Sequence, residues 1–121
     1  MRIKRIHIVV KSLDETLKEA GEVFEEVSKG KAPKRKTAIY FSNIKEMRRV
    51  VTERRLELLK VIKDKRPSSV YELAKMLKRD LKNVLQDVAY LQDLGIIAVA
   101  KTGDKKTPHV HYDRISFEVA L

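Results

Sequence analysis

The stretch from Pro67 to Leu94, PSSVYELAKMLKRDLKNVLQDVAYLQDL, closed by Gly95, constrains this chain more than any other. Val70, Leu73, Ala74 and Leu77 form an i, i+3, i+4, i+7 apolar stripe, which predicts a short amphipathic helix. Leu81, Val84, Val88, Leu91 and Leu94 form a second stripe at helical spacing. Ser69 followed by Glu72 is a capping-box signature. Asp80 can cap the second helix, and Gly95 can end it in a left-handed conformation. Two short capped helices meeting at the break Lys78-Arg79 predict a helix-turn-helix.

Composition narrows what such a unit can meet. The 121 residues carry 27 Lys and Arg against 17 Asp and Glu, a formal charge of +10. That excess favours a polyanion, with nucleic acid the first candidate, although solubility alone would also use it. The chain has no cysteine, so disulfides, thiolate metal sites and Cys nucleophiles are excluded. No apolar run approaches a membrane span. The start, MRIKRIHIVVKSLDE, has too short an apolar run for a signal peptide, so the expected location is the cytoplasm.

The remaining segments supply flanking elements. Residues 2–10 alternate as a strand. Ser12 and Glu15 open a helix whose apolar face is Leu13, Leu17, Ala20, Phe24 and Val27, ending near Gly30. Residues 29–36, KGKAPKRK, read as a basic loop, either a solvated connector or a phosphate contact. Thr37–Phe41 is a second strand. Asn43 and Glu46 start a short helix. A longer one follows Thr52, with Leu56, Leu59, Val61 and Ile62 on its buried side and Arg54, Arg55, Lys60 and Lys63 in water. Pro67 stops it. After Gly95 the period becomes extended: residues 96–102 form a strand, TGDKK a turn, and PHVHYDRISFEVAL one or two more strands, with Ile115, Phe117 and Val119 on one face. The expected fold class is α+β: a winged helix-turn-helix over 43–121 with an N-terminal β-α-β appendage over 1–42.

Four pieces of this chain, TERRLELL (52–59), SVYELAKML (69–77), RDLKNVLQDVAYLQDLGII (79–97) and HYDRISFEV (111–119), carry a resemblance. Together they resemble small prokaryotic predicted transcriptional regulators with a winged helix-turn-helix, related at a distance to MarR-type repressors. The resemblance spans roughly residues 38–121. Arg79-Asp80, Lys82-Asn83-Val84, Asp87-Val88 and Leu94-Gly95 are its more specific marks. It implies double-stranded DNA binding and transcriptional control.

Helical geometry assigns the side chains to such a role. With Leu81, Val84, Val88 and Leu91 inward, Lys82, Asn83, Gln86, Ala89, Tyr90 and Asp93 point outward. Asn83 and Gln86 suit adenine edges, and Lys82 suits guanine or a phosphate. Lys78 and Arg79 precede the helix where phosphates could be clamped. Asp87 reads as a structural partner for a nearby cation. Lys101, Lys105 and Lys106 make the wing tip basic, which could serve a minor groove or only keep a turn solvated. The expected site is therefore Lys78, Arg79, Lys82, Asn83, Gln86, Tyr90, Lys101, Lys105 and Lys106. Ser69 and Tyr71 could add backbone contacts.

Other chemistry finds little support. His109 and His111 share a strand face but lack the further ligands of a zinc site, and no cofactor is expected. No glycine-rich phosphate loop, Ser-His-Asp constellation or carboxylate pair on an apolar patch is present, so an enzyme is not expected. The expected assembly is a two-fold homodimer, with contacts from residues 1–42 or from the helix over 43–63. A protein-interaction winged-helix module, antitoxin-like or complex-assembling, and a nonspecific architectural DNA-binding protein are the competing functions.

Overall fold

A computed structural model describes residues 3–30 and 37–121, the side chains at 23, 26 and 27 excepted. The described elements run β1 (Arg5–Val10), α1 (Leu13–Ser28), β2 (Ala38–Phe41), α2 (Ile44–Val50), α3 (Glu53–Lys65), α4 (Val70–Leu77), α5 (Leu81–Asp93), β3 (Ala98–Thr102), β4 (Lys105–His109) and β5 (Arg114–Val119). The fold is α+β. No helix among the described residues is long and apolar enough to cross a membrane. Residues 31–36 of the basic loop and the side chain of Val27 lie outside the described residues.

Contacts group the chain into two compact units, Met1–Lys4 with Val51–Asp113, and Arg5–Val50 with Arg114–Leu121. The sequence reading divides the chain at 42/43 instead. The difference arises because α2 groups with β2 in the N-terminal unit and β5 pairs with β1 there.

In that second unit β1 is the central strand of a three-stranded sheet, order β2-β1-β5, and both pairings are parallel. The β1–α1–β2 segment is thus the expected β-α-β crossover, with β5 as its third strand. Ile6, Ile8 and Val10 stand opposite Ile115, Phe117 and Val119, and Ile8 and Val10 opposite Ile39 and Phe41. One sheet face is therefore apolar, because alternation sends every second side chain to the same side. Ile6 and Ile8 are buried, whereas Phe117 and Val119 stay exposed. The Ser12 hydroxyl caps α1 by accepting the Glu15 N–H at 3.3 Å. Lys11 grips Glu19 on the helix and lies over the Tyr40 ring. The hydrogen bond to Glu19 raises the Lys11 pKa above its ordinary value, against a smaller opposing effect of desolvation.

The first unit is built on α3, α4 and α5. Thr52 caps α3 by accepting the Arg55 N–H at 3.2 Å. Its buried side is Leu58, Leu59 and Ile62. Leu56 and Val61, expected inside, are only half-buried, and Leu58 takes the central place. LELLKVI offers two overlapping stripes, and in a helix that packs against α4 and β4 the one containing Leu58 is turned inward. On α4 the expected Val70, Leu73 and Ala74 are buried, and on α5 Val84, Val88 and Leu91. Asp113 ends the unit. It accepts the Lys4 N–H at 3.0 Å and pairs with Lys63 at 3.1 Å, and these contacts, the Lys4 N–H first, hold its carboxyl below the usual range.

Candidate nucleic-acid interface

Local caps position the α4–α5 pair. Ser69 accepts the Glu72 N–H at 3.0 Å, and the Glu72 carboxylate reaches back to Ser68, whose hydroxyl and then N–H lower its pKa. Lys78 closes α4 in the left-handed region, φ 55. Its N–H binds the Lys75 carbonyl and the Arg79 N–H the Ala74 carbonyl, the Schellman pattern. Asp80 occupies the N-cap position of α5, but its side chain makes no capping hydrogen bond, contrary to expectation. Gly95, φ +81, ends α5 with a second Schellman pair: Gly95 N–H to Gln92 and Ile96 N–H to Leu91. Ile96 and Leu91, the two positions whose apolar side chains commonly accompany such a turn, are both buried.

On α5 the burial pattern separates two sides. Lys82, Asn83, Gln86, Ala89, Tyr90 and Asp93 are exposed, and Val84, Val88 and Leu91 are buried. One expected site residue, Arg79, is drawn elsewhere. Arg79 donates through Nη2 to Asp87 Oδ2 at 2.7 Å, and only 18% of its side chain is exposed. Arg55, expected in water, donates through Nε to Asp87 Oδ1 at 3.1 Å, and its guanidinium lies 4.5 Å over the Tyr90 ring. Tyr90 is thus exposed on one side and covered on the other. Asp87 has the structural role expected of it, with partners from α3 and from the α4–α5 break.

The β3–β4 hairpin follows α5 in the same unit. Its two-residue turn, Gly103-Asp104, has positive φ at Gly103, as a type II′ turn requires. Lys101 stands directly opposite Lys106 in the ladder, with Lys105 beside the turn, and all three are exposed. Like charges facing across two strands repel, so this tip would gain from a nearby anion. The hairpin is anchored where the Thr107 hydroxyl donates to the Ser68 carbonyl at 2.7 Å and Pro108 is buried. The expected strands after residue 108 divide differently: β4 ends at His109, and β5 pairs with β1 rather than extending the hairpin.

Sequence reasoning passed over Arg66. It is exposed, closes α3 in the left-handed region (φ 48), and precedes buried Pro67. With Lys63, His109 and His111 it borders an open groove of about 450 Å³. The two histidine rings stack with centroids 6.0 Å apart. Among the described residues no group of three or more His, Cys, Asp or Glu could hold a metal ion.

A protein-family model described as HVO_A0114 matches residues 50–117, more than half of the chain. No curated protein matches.

Proposed function

We propose that this chain, which belongs to the HVO_A0114 family, is a sequence-specific double-stranded-DNA-binding transcriptional regulator of the cytoplasm acting as a homodimer. In this reading α3–α5 and the β3–β4 hairpin form a winged helix-turn-helix. The observation that carries it is the exposed polar side of α5, Lys82, Asn83 and Gln86, in one compact unit with a hairpin tipped by Lys101, Lys105 and Lys106. Amide side chains recognise adenine edges in a major groove, and lysines contact phosphates or guanine. A two-fold pair of such units would read half-sites about 34 Å apart.

Duplex affinity should fall steeply with salt. Phosphate contacts by Lys78, Lys82 and the three hairpin lysines of one protomer would give a log–log slope of roughly −4 to −5. Between 50 and 200 mM salt, affinity should then drop by roughly 10²–10³-fold per protomer. A fluorescence-anisotropy titration with duplexes selected from sheared genomic DNA measures this. A slope near zero, or no preference for selected over random duplexes, would count against the reading.

Lys78 offers a test in which two readouts move in opposite directions. A non-glycine residue in the left-handed region costs roughly 1–2 kcal/mol, and glycine relieves it. Lys78→Gly should therefore stabilise the fold by about 1 kcal/mol in urea denaturation while weakening duplex binding several-fold. A variant that is more stable and binds equally well would remove Lys78 from the interface.

A further inference from the structure

None of the polar groups around the groove beside Arg66 belongs to the surface assigned to DNA. The groove lies wholly within the unit that contains Val51–Asp113. Three of its lining residues, Ile62, Pro67 and Pro108, are apolar and buried. Its charged side chains are all of one sign: Lys63 and Arg66, at the C-terminal end of α3. His109 ends β4, and His111 lies two residues on. No Asp or Glu lines the groove. A volume of about 450 Å³, with apolar walls and a few converging polar groups, is that of a small-molecule site.

The polar groups differ in how far they are already engaged. Lys63 donates to the Val110 carbonyl at 3.4 Å and pairs with Asp113 at 3.1 Å, so its head group is held and its charge partly answered. The Ser68 hydroxyl is taken by Glu72 and is not a free donor. Arg66 is exposed and makes no ion pair among the described residues. It adopts φ 48 directly before a proline, where glycine would suit the backbone better. The backbone alone therefore does not account for an arginine there. His109 and His111 stack with ring centroids 6.0 Å apart and planes 16° from parallel. Each imidazole offers an N–H donor even when uncharged. Two protonated rings at that distance repel, and an anion beside them offsets the repulsion. A planar guanidinium fork with two ring donors matches the several oxygens of a phosphate better than the two of a carboxylate.

We infer that this groove binds a small molecule bearing a phosphate group, held by Arg66 and the His109–His111 pair, with its apolar part against Ile62, Pro67 and Pro108. A duplex backbone offers the same group, so free phosphate and duplex are titrated separately. The chain has three histidines, and His7 does not line the groove, so the ring C–H resonances carry their own control. Inorganic phosphate added to the full chain, with ionic strength held constant by sodium chloride, should shift the His109 and His111 resonances along a saturating curve. Saturation should come at roughly millimolar phosphate or below, with His7 unmoved. Arg66→Gly should raise the phosphate dissociation constant at least ~10-fold, as loss of a charge-assisted hydrogen bond does. The same variant should be no less stable in urea, because glycine suits the left-handed position. His111→Ala, at an exposed position, should weaken phosphate binding likewise, with unchanged far-UV circular dichroism and unchanged duplex affinity. Shifts that never saturate, an equal shift of His7, or an Arg66→Gly chain with the wild-type phosphate affinity would each overturn the inference. Loss of duplex affinity in His111→Ala would assign the groove to the nucleic-acid backbone and remove the small-molecule occupant. A chain that binds phosphate in the groove but no duplex would sink the regulator and leave the groove standing.

Discussion

Replacing Asp87 by Ala is expected to cost about 2–4 kcal/mol of folding stability, the largest loss from any single polar side chain of the helical unit. Asp87 is 14% exposed and holds Arg55 and Arg79, each 18% exposed, through separate oxygens. Deleting the carboxylate leaves the partly desolvated Arg79 guanidinium without its anion and takes from Arg55 the contact made by Nε. Arg79 has little to fall back on, because its Nη1 is already buried with no hydrogen-bond partner among the described residues. Exposed ion pairs are worth at most about 1 kcal/mol, so the size of the effect separates a structural triad from surface decoration. Asp87→Asn keeps the shape and some accepting capacity and should fall between wild type and Ala. A double variant, Arg79→Leu with Asp87→Leu, should recover part of the Ala loss, because a part-buried charge that has lost its anion is costlier than an apolar replacement of the pair. Urea denaturation at neutral pH gives all three values. A loss below about 1 kcal/mol for Asp87→Ala would show that solvent already screens the triad.

That triad also marks how far the sequence could be read. The α4–α5 pair was legible because local signals agree: a capping residue, two helical stripes and a glycine whose positive φ completes a Schellman turn. Each signal spans only a few residues, so no distant partner is needed to interpret it. Arg55 was not legible. By spacing it belongs to a solvated face, and its partner Asp87 is 32 residues away on another helix. Leu58 was missed for a related reason, since only the elements packed against α3 decide between two overlapping stripes. β5 was legible as a strand from its alternation, but not in its pairing. Its register with β1 joins the two ends of the chain, and sequence proximity pointed instead to the hairpin. Among the expected site residues, the exposure of Lys82, Asn83, Gln86 and Tyr90 follows from helical phase alone. Arg79 departs because the part-buried Asp87 holds it, whereas Tyr90 stays exposed with the Arg55 guanidinium over its ring.

A second large effect is expected on the exposed side of α5. Substituting Lys82, Asn83 and Gln86 together by Ala should leave folding stability nearly unchanged. All three are exposed, and Ala is the best helix former. Affinity for a selected duplex should nevertheless fall on the order of 10²–10³-fold, because each well-placed base contact is worth ~1–3 kcal/mol of discrimination. Affinity for random duplex should fall far less, since of the three only Lys82 carries charge. The hairpin supplies the contrast. Alanine at Lys101, Lys105 and Lys106 should weaken selected and random duplexes alike and flatten the salt slope by about 3. The two variants together therefore separate base reading from phosphate contact within one fold. Competition anisotropy, at one fixed salt concentration for the ratios and over a series for the slope, gives both quantities. If the α5 variant lost affinity equally for every duplex, Asn83 and Gln86 would not be reading bases. If neither variant changed binding, the polar side of α5 would not be the surface that meets DNA.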